Sequence, residues 1–421
     1  MSVFSLLDEV KESLRPDTEI IAVRNEVIGM IAHELARRDI KALPVPGGSV
    51  AKGTYLPLDH DVDVFVRFSL EYADLEEKLP DLLERALKQF APTRLHGSRD
   101  YFQFVYQGYD FEVIPVLAVS DSSQARNVTD MSPIHVDYFR ENGLGLEDEV
   151  RLTKQFSKAQ GVYGAESYIR GFSGHVIDLL IMHYKSFYSL IKAAAAWKPP
   201  VVIDMERHHK DPLDVLNEAK LSPLILIDPV QPDRNAAAAL SQEQFDAFVS
   251  SAKKFLQAPS EAFFVVEEFR KDLLLSRLSE HPGSAVWVDM ELFDDKTDVA
   301  GARVRKSFER LVSQVRLSGF DIVEDGWHFD HTSACAWVCV AQEILEPSYE
   351  REGPPVSQET DAARFRDTHE TVIEREGRLF ARVERKEREL LKVAQRVCEE
   401  LSSEKIVLRP CLLSAASQQQ Q

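Results

Sequence analysis

The chain has 421 residues, 44% of them hydrophobic and 28% charged, which is too long for one ordinary core and predicts two to four globular domains. Its formal net charge of −19 argues against a surface that binds nucleic acid throughout, although a local basic groove on an acidic body is compatible with it. No apolar run approaches the roughly 20 residues needed to span a bilayer, MSVFSLLDEVKESL lacks the marks of a signal peptide, and Cys335, Cys339, Cys398 and Cys411 make a poor disulfide framework, so a reducing cytoplasm is the expected setting.

In chain order, Ile20, Val23, Val27, Ile28, Ile31 and Leu35 fall at helical spacing and predict a helix over about Asp17 to Arg38. KALPVPGGSVAKGT then reads as a strand ending in a glycine turn. DVDVFVRF alternates, with Asp61 and Asp63 on one face and Val62, Val64 and Val66 on the other. A helix is expected over about Leu75 to Phe90, and YFQFVY and YDFEVIPVLAV read as strands. Beyond Pro133 the texture is helical: VRLTKQFSKAQG, HVIDLLIMHYKSFYSLIKAAAAW and SQEQFDAFVSSAKKFL, the last opened by a capping-box pattern at Ser241. From about Glu268, SAVWVDMEL, ACAWVCVA and RLFARVER mix strands with helices, separated by the turn-rich EPSYEREGPPVSQ. Cys335 and Cys339 would share one strand face as buried thiols. The expected class is α+β: a mixed-sheet head over 1–137, a helical middle over 138–267, an α+β tail over 268–410, and a disordered low-complexity end over 411–421.

The chemistry-bearing segment is Gly47-Gly48-Ser49-Val50-Ala51-Lys52-Gly53-Thr54, followed by Asp61-x-Asp63. Nucleotidyl transfer needs a holder for a triphosphate and a holder for divalent cations. A Gly-Ser turn supplies the first, because small residues let backbone N–H groups approach phosphate. Two acids at i and i+2 of a strand supply the second, presenting hard oxygen ligands to Mg²⁺ on one side. Glu112 is the candidate third acid from a neighbouring strand, with Asp110 two residues earlier on its face. Gly-Gly-Ser alone is a common turn and Asp-x-Asp alone a common solvated face. Their order and spacing, with an acidic strand after them, point to chemistry.

At GGSVAKGTYLPLDHDVDVFVRF the chain resembles the archaeal-type (class I) CCA-adding enzymes of the nucleotidyltransferase superfamily. EDEVRLTKQFSKAQGVYGAESYIRGFSGHVIDLLIMHYKSF, IDPVQPDRNAAAALS and QAPSEAFF extend the likeness over about residues 15 to 400. The resemblance implies a nucleotidyltransferase-type head, a CCA-adding activity on the 3′ end of tRNA with CTP and ATP, Mg²⁺ as cofactor, and a homodimer. It also implies that Asp61, Asp63 and Glu112 are catalytic metal ligands, where the family usually has Asp at 112. Gly48, Ser49, Lys52 (commonly Arg in the family), Lys154 and Tyr163 would bind the triphosphate. Ser132 would face the ribose and Arg234, with Asn235 beside it, the base. Arg99-Asp100-Tyr101 stands where the family carries a His-Pro-Tyr motif. An A-adding or poly(A)-type enzyme and an inactive RNA-binding protein are the alternatives.

Spacing alone supports less. Lys154 and Lys158 share a helix face, which spacing alone reads as a solvated one. Tyr163 fits a packing aromatic, Arg234 an exposed turn residue, and Arg170 a cap or salt bridge. His208 and His209 read as a charged loop, and His60 as a possible orienter of a carboxylate. Arg378 to Arg396 carries an excess of four positive charges in an otherwise acidic chain. Arg378 and Arg382, on one strand face, and Arg385 are the expected grip on tRNA phosphates, with a charged surface element as the alternative.

Overall fold

The computed structural model describes residues 2–57, 59, 61–293, 296–330 and 333–413. It divides into two compact units, Met1–Glu267 and Glu268–Gln421.

In the first unit, helices α1 (Val3–Ser13) and α2 (Glu19–Arg37) precede β1 (Ala42–Pro46), the short α3 (Gly48–Lys52) and β2 (Asp61–Phe68). A 3₁₀ stretch over Leu70–Lys78 leads into α4 (Leu79–Leu87), where one helix from 75 to 90 was expected. Pro80 explains the start: its ring suits the first turn of a helix but removes a donor from any interior. Strands β3 (Thr93–Leu95), β4 (Tyr101–Tyr106) and β5 (Tyr109–Leu117) complete a five-stranded sheet of order β1-β2-β5-β4-β3. The β2–β5 pair is parallel and the others antiparallel. Val62, Val64 and Val66 are fully buried with Phe111 and Val113 under α2 and α4, so the opposite face carries Asp61, Asp63 and Glu112.

A second core follows, built by α5 (Ser132–Asn142), α6 (Glu147–Ala159), α7 (Gly174–Tyr184), α8 (Phe187–Ala194) and α9 (Gln242–Gln257). The run 175–197 is two helices rather than one. Lys185 takes a left-handed φ of 67°, and the Ser186 hydroxyl caps α8 by accepting from Ser189 N at 3.2 Å. Short strands β6 (Val201–Ile203), β7 (Leu224–Asp228) and β8 (Gln231–Asn235) flank this core. Although first in the chain, α1 joins the helical core through Leu6, Leu7, Val10 and Leu14. Its Lys11 pairs with Glu149 on α6 at 2.6 Å.

In the second unit, α10 (Lys271–Ser279), β9 (Ser284–Leu292), α11 (Thr297–Leu317), β10 (Ile322–Phe329) and β11 (Ala334–Val340) come first. Then come β12 (Ser348–Pro355), α12 (Glu359–Thr368), β13 (Val372–Arg375), β14 (Arg378–Glu384), α13 (Leu390–Leu401) and β15 (Ile406–Leu413). One sheet runs β10-β11-β9-β15 with α11 and α13 on one face; Cys335 and Cys339 lie with Leu278 and Trp287 on the other. The segment expected to be turns forms β12, paired with β14. Its side chains are mostly exposed and Gly353-Pro354 breaks the register, so no alternation marks it. The expected disorder from 411 is corrected for Cys411, Leu412 and Leu413, whose apolar side chains continue β15 along β9. Residues 414–421 lie outside the described residues, as does His60.

Candidate active site

The acids and the glycine turn are built against each other. In the parallel β2–β5 register Asp61 lies opposite Asp110 and Asp63 opposite Glu112. Gly47 N donates to Asp63 O at 2.8 Å, docking the turn on the acid strand. A Cβ on Gly48, whose φ is 55°, would fall inside the radius of Asp63 Oδ2, and one on Gly47 would stand 2.6 Å from the Phe65 ring. Only glycine fits at 48, because both the backbone conformation and the space exclude a side chain. Burial, and then the like charges of Glu112 and Asp61, push the Asp63 carboxyl up to about 6. Glu112 is raised as well, by burial and by Asp61, against a 2.5 Å hydrogen bond donated by Gln103 Nε2 to its Oε1.

Behind the turn, basic side chains from three elements hold the carbonyls of α3 and its exit. Arg24 donates to Val50 O at 3.3 Å, Arg140 to Ala51 O at 3.2 Å and Arg151 to Gly53 O. Lys154 Nζ donates to Thr54 O at 2.9 Å. Cations at the carboxyl end of a helix oppose its exposed carbonyl dipoles. Lys154 is therefore not on a solvated face: it is 3% exposed, and burial pulls its ammonium down to about 8. Lys158, one turn on, pairs with Asp59 at 3.0 Å and lies over the Tyr163 ring at 5.4 Å. Burial, with Asp59 and Asp178 nearby, pushes the Tyr163 phenol well up. Lys52 pairs with Asp178, an acid of the apolar α7 that sequence reading overlooked. Its signal was available: a carboxylate inside HVIDLLIM asks for a partner.

Gly48, Lys52, Asp63, Ser132 and Arg234 line one cavity of about 420 Å³, together with Thr129, His135 and His175. Ser132 opens α5, and Arg234 on β8 donates to Asp228 Oδ2 at 3.1 Å. Burial alone would raise the Asp228 carboxyl, yet hydrogen bonds from His135 and His175 hold it well below the usual range. Among the described residues, His135, His175 and Asp228 form the group of three whose ligand atoms lie within 4.8 Å of one another. The three strand acids share a face but do not meet that spacing. His135, His175 and Asp228 were not sequence candidates, because they come from α5, α7 and β7 and no local pattern joins them.

Other expectations change. The Asn235 amide is saturated: its oxygen accepts from Leu226 N and Ala237 N at 2.9 and 3.0 Å, and its nitrogen donates to Lys220 O at 3.0 Å. It braces the β7–β8 hairpin and is corrected from nucleotide-binding to structural. His208 and His209 lie in the expected loop and donate to Pro229 O and Pro232 O at 2.9 and 2.8 Å, steadying the hairpin that carries Arg234. Arg99 is buried against Asp130 at 2.5 Å and Glu76 at 3.1 Å, while Asp100 pairs with Arg94 and Tyr101 packs with Phe65 and Ile114. Arg170 O accepts from Ser241 N at 2.9 Å, tying the RGFSG turn to α9. In the second unit, Arg378 and Arg382 are exposed on one face of β14, donating to Glu352 at 2.6 Å and to the Ser348 hydroxyl at 2.7 Å. Arg385 is partly buried, donating to Ser318 O at 2.5 Å with its guanidinium 4.5 Å over the Tyr349 ring. It thereby braces this unit.

A family model described as nucleotidyltransferase domain matches residues 28–95, and one described as tRNA nucleotidyltransferase, second domain, matches 148–265. A CCA-adding enzyme of Nanoarchaeum equitans is 33% identical over 79% of this chain and 82% of its own. One of Methanosarcina mazei is 31% identical over 87% and 81%, and one of Saccharolobus shibatae 30% over 90% and 89%. A solved cytoplasmic RNA terminal U-transferase shares the fold at a TM-score of 0.50 and 12% identity, over 63% of this chain and 99% of that one. At these identities, sustained through head, helical core and much of the second unit, the chain belongs to the CCA-adding enzymes, a family of tRNA nucleotidyltransferases.

Proposed function

We propose that the protein adds C, C and A in turn to the 3′ end of tRNA, from CTP and ATP and without a nucleic-acid template, releasing pyrophosphate. The observation that carries this reading is the single cavity in which the glycine turn, Lys52, Asp63, Ser132 and Arg234 meet. Asp61, Asp63 and Glu112 would hold divalent cations, of which Mg²⁺ is the proposed one, since the donor set is all hard oxygen. A carboxyl raised to about 6 by burial and then by neighbouring like charges is one that a cation relieves. When bound, paired Mg²⁺ ions would neutralise the attacking and leaving oxygens.

The chain's own groups do the positioning. Gly48 lets a triphosphate approach the backbone, and Ser49, Lys52, Lys154 and Tyr163 supply a hydroxyl, two ammonium groups and a phenol to its oxygens. Ser132 presents a hydroxyl to the ribose and Arg234 donors to the base. With Glu112 Oε1 engaged by Gln103, Oε2 is the atom to take the proton of the 3′-hydroxyl. Arg378 and Arg382 meet tRNA backbone phosphates by shape rather than sequence. We assign the head to 1–137, the helical nucleotide- and tRNA-binding part to 138–267 and the tRNA-binding tail to 268–410. The working form is a homodimer in the cytoplasm, a setting supported by four free thiols.

The test is a tRNA transcript ending before CCA, offered each nucleoside triphosphate singly and in pairs with Mg²⁺. CTP alone should add two residues, and CTP with ATP should complete three in the order C, C, A. Addition of A alone to this transcript would favour an A-adding enzyme instead. Incorporation that survives Asp61→Ala with Asp63→Ala would remove the acids from the chemistry.

A further inference from the structure

We propose that His135, His175 and Asp228 form a second metal site, selective for a borderline-soft divalent cation of the Zn²⁺ class, through which that metal switches nucleotide addition off. Asp228 ends β7 and is fully buried, whereas His135 lies one turn into α5 and His175 in the first turn of α7, each partly exposed to the cavity. Three regular elements thus deliver two imidazoles and one carboxylate to a point, with their positions set by packing rather than by a loop.

The spacing suits coordination. Ligand atoms about 2.0–2.1 Å from Zn²⁺ stand roughly 2.9 Å apart at right angles and roughly 3.4 Å apart at tetrahedral angles. His135 Nε2 lies 2.9 Å and His175 Nε2 3.2 Å from Asp228 Oδ2, with the rings 4.4 Å apart. A shift of each ring proton to Nδ1 frees both Nε2 lone pairs. His135 and His175 both line the cavity, whose solvent would supply a fourth ligand. Nitrogen donors favour Zn²⁺ over Mg²⁺, so the site differs in kind from the all-oxygen acids of β2 and β5.

The remaining contacts of Asp228 explain the consequence. Oδ1 lies 3.1 Å from His135 Nε2 and accepts from Val230 N at 3.1 Å, while Oδ2 also accepts from Arg234 Nη1 at 3.1 Å. A dication on Oδ2 competes with the guanidinium for the same oxygen and releases Arg234 from its place on the cavity wall. Inhibition, though not binding, rests on the function proposed for that cavity.

Full-length protein, stripped with EDTA and desalted, is titrated with Zn²⁺ against a chromophoric chelator, without nucleotide or tRNA. One equivalent should bind, Co²⁺ should give visible d–d absorption, and excess Mg²⁺ should displace neither. His175→Gln and Asp228→Asn should each weaken Zn²⁺ by at least about tenfold. Because Asp228→Asn risks misfolding, the partly exposed His175→Gln is decisive once circular dichroism shows it folded. Asp63→Asn should keep the site. In the Mg²⁺-dependent addition assay, Zn²⁺ should inhibit wild type reversibly and His175→Gln less. Zn²⁺ binding that survives His175→Gln, or is lost in Asp63→Asn instead, overturns the assignment. If zinc binds as described but the stripped protein adds nothing with Mg²⁺, the function fails and this site stands; the converse sinks the site alone.

Discussion

Replacing Lys154 with methionine should make the first unit more stable and disable it at the same time. The ammonium is 3% exposed and burial lowers it from 10.5 to about 8. A shift of that size corresponds to roughly 3 kcal/mol of penalty on the charged form. Methionine has similar length and no charge, but it leaves Thr54 O without its donor, which costs about 1 kcal/mol or more. The net gain is about 1–2 kcal/mol, or several degrees in thermal midpoint for a unit of this size. The sign with pH follows from proton binding: between about 8 and 10.5 the unfolded chain holds the proton and the folded one does not. The penalty is therefore complete below 8 and fades as pH rises toward 10.5, so the advantage of Lys154→Met should be full at neutral pH and shrink in that window. Thermal melts across this range measure it, and single-turnover CTP addition should fall by about a hundredfold or more, as for loss of one electrostatic donor. A variant destabilised at neutral pH, or stabilised equally at all pH, would refute the reasoning.

Gly48→Ala should cost about 1 kcal/mol or more of stability and abolish addition, because its Cβ displaces Asp63 Oδ2; crystallography or activity unchanged from wild type would contradict this. In EDTA, Asp63→Asn should raise the thermal midpoint at pH 7, where the carboxylate is charged against its surroundings. That gain, roughly 2–3 kcal/mol at most, should vanish as pH falls from about 6 to 4 and the wild-type group takes up its proton. Added Mg²⁺ should stabilise wild type and not this variant. Arg382→Glu should weaken tRNA binding and lower its salt slope by about one contact or more with folding intact, as read by filter binding at several salt concentrations. Arg385→Glu should instead lower the melting of the second unit, since its guanidinium holds Ser318 O.

The outline of the head was legible because local geometry dictates it. Alternation in DVDVFVRF makes Asp61 and Asp63 share a face whatever surrounds them, and the strand observed is Asp61–Phe68. The Gly47-Gly48 turn was likewise readable, as was the cap at Ser241, whose hydroxyl accepts from Gln244 N at 3.3 Å. Breaks were less so: Lys185 carries no mark in sequence for its left-handed turn, and the exposed edge strand β12 shows no alternation.

What tertiary structure decided is who meets whom. That a third acid should come from a neighbouring strand followed from chemistry, but the parallel register setting Glu112 opposite Asp63 is a property of the folded sheet. Lys52 meets Asp178 across 126 residues, and His135 meets Asp228 across 93. Periodicity reports only which residues of one element share a face. Pairings over such separations arise when packed cores bring distant elements together, and the new surroundings then shift proton affinity: burial lowers that of Lys154, while hydrogen bonds from His135 and His175 outweigh burial and lower that of Asp228.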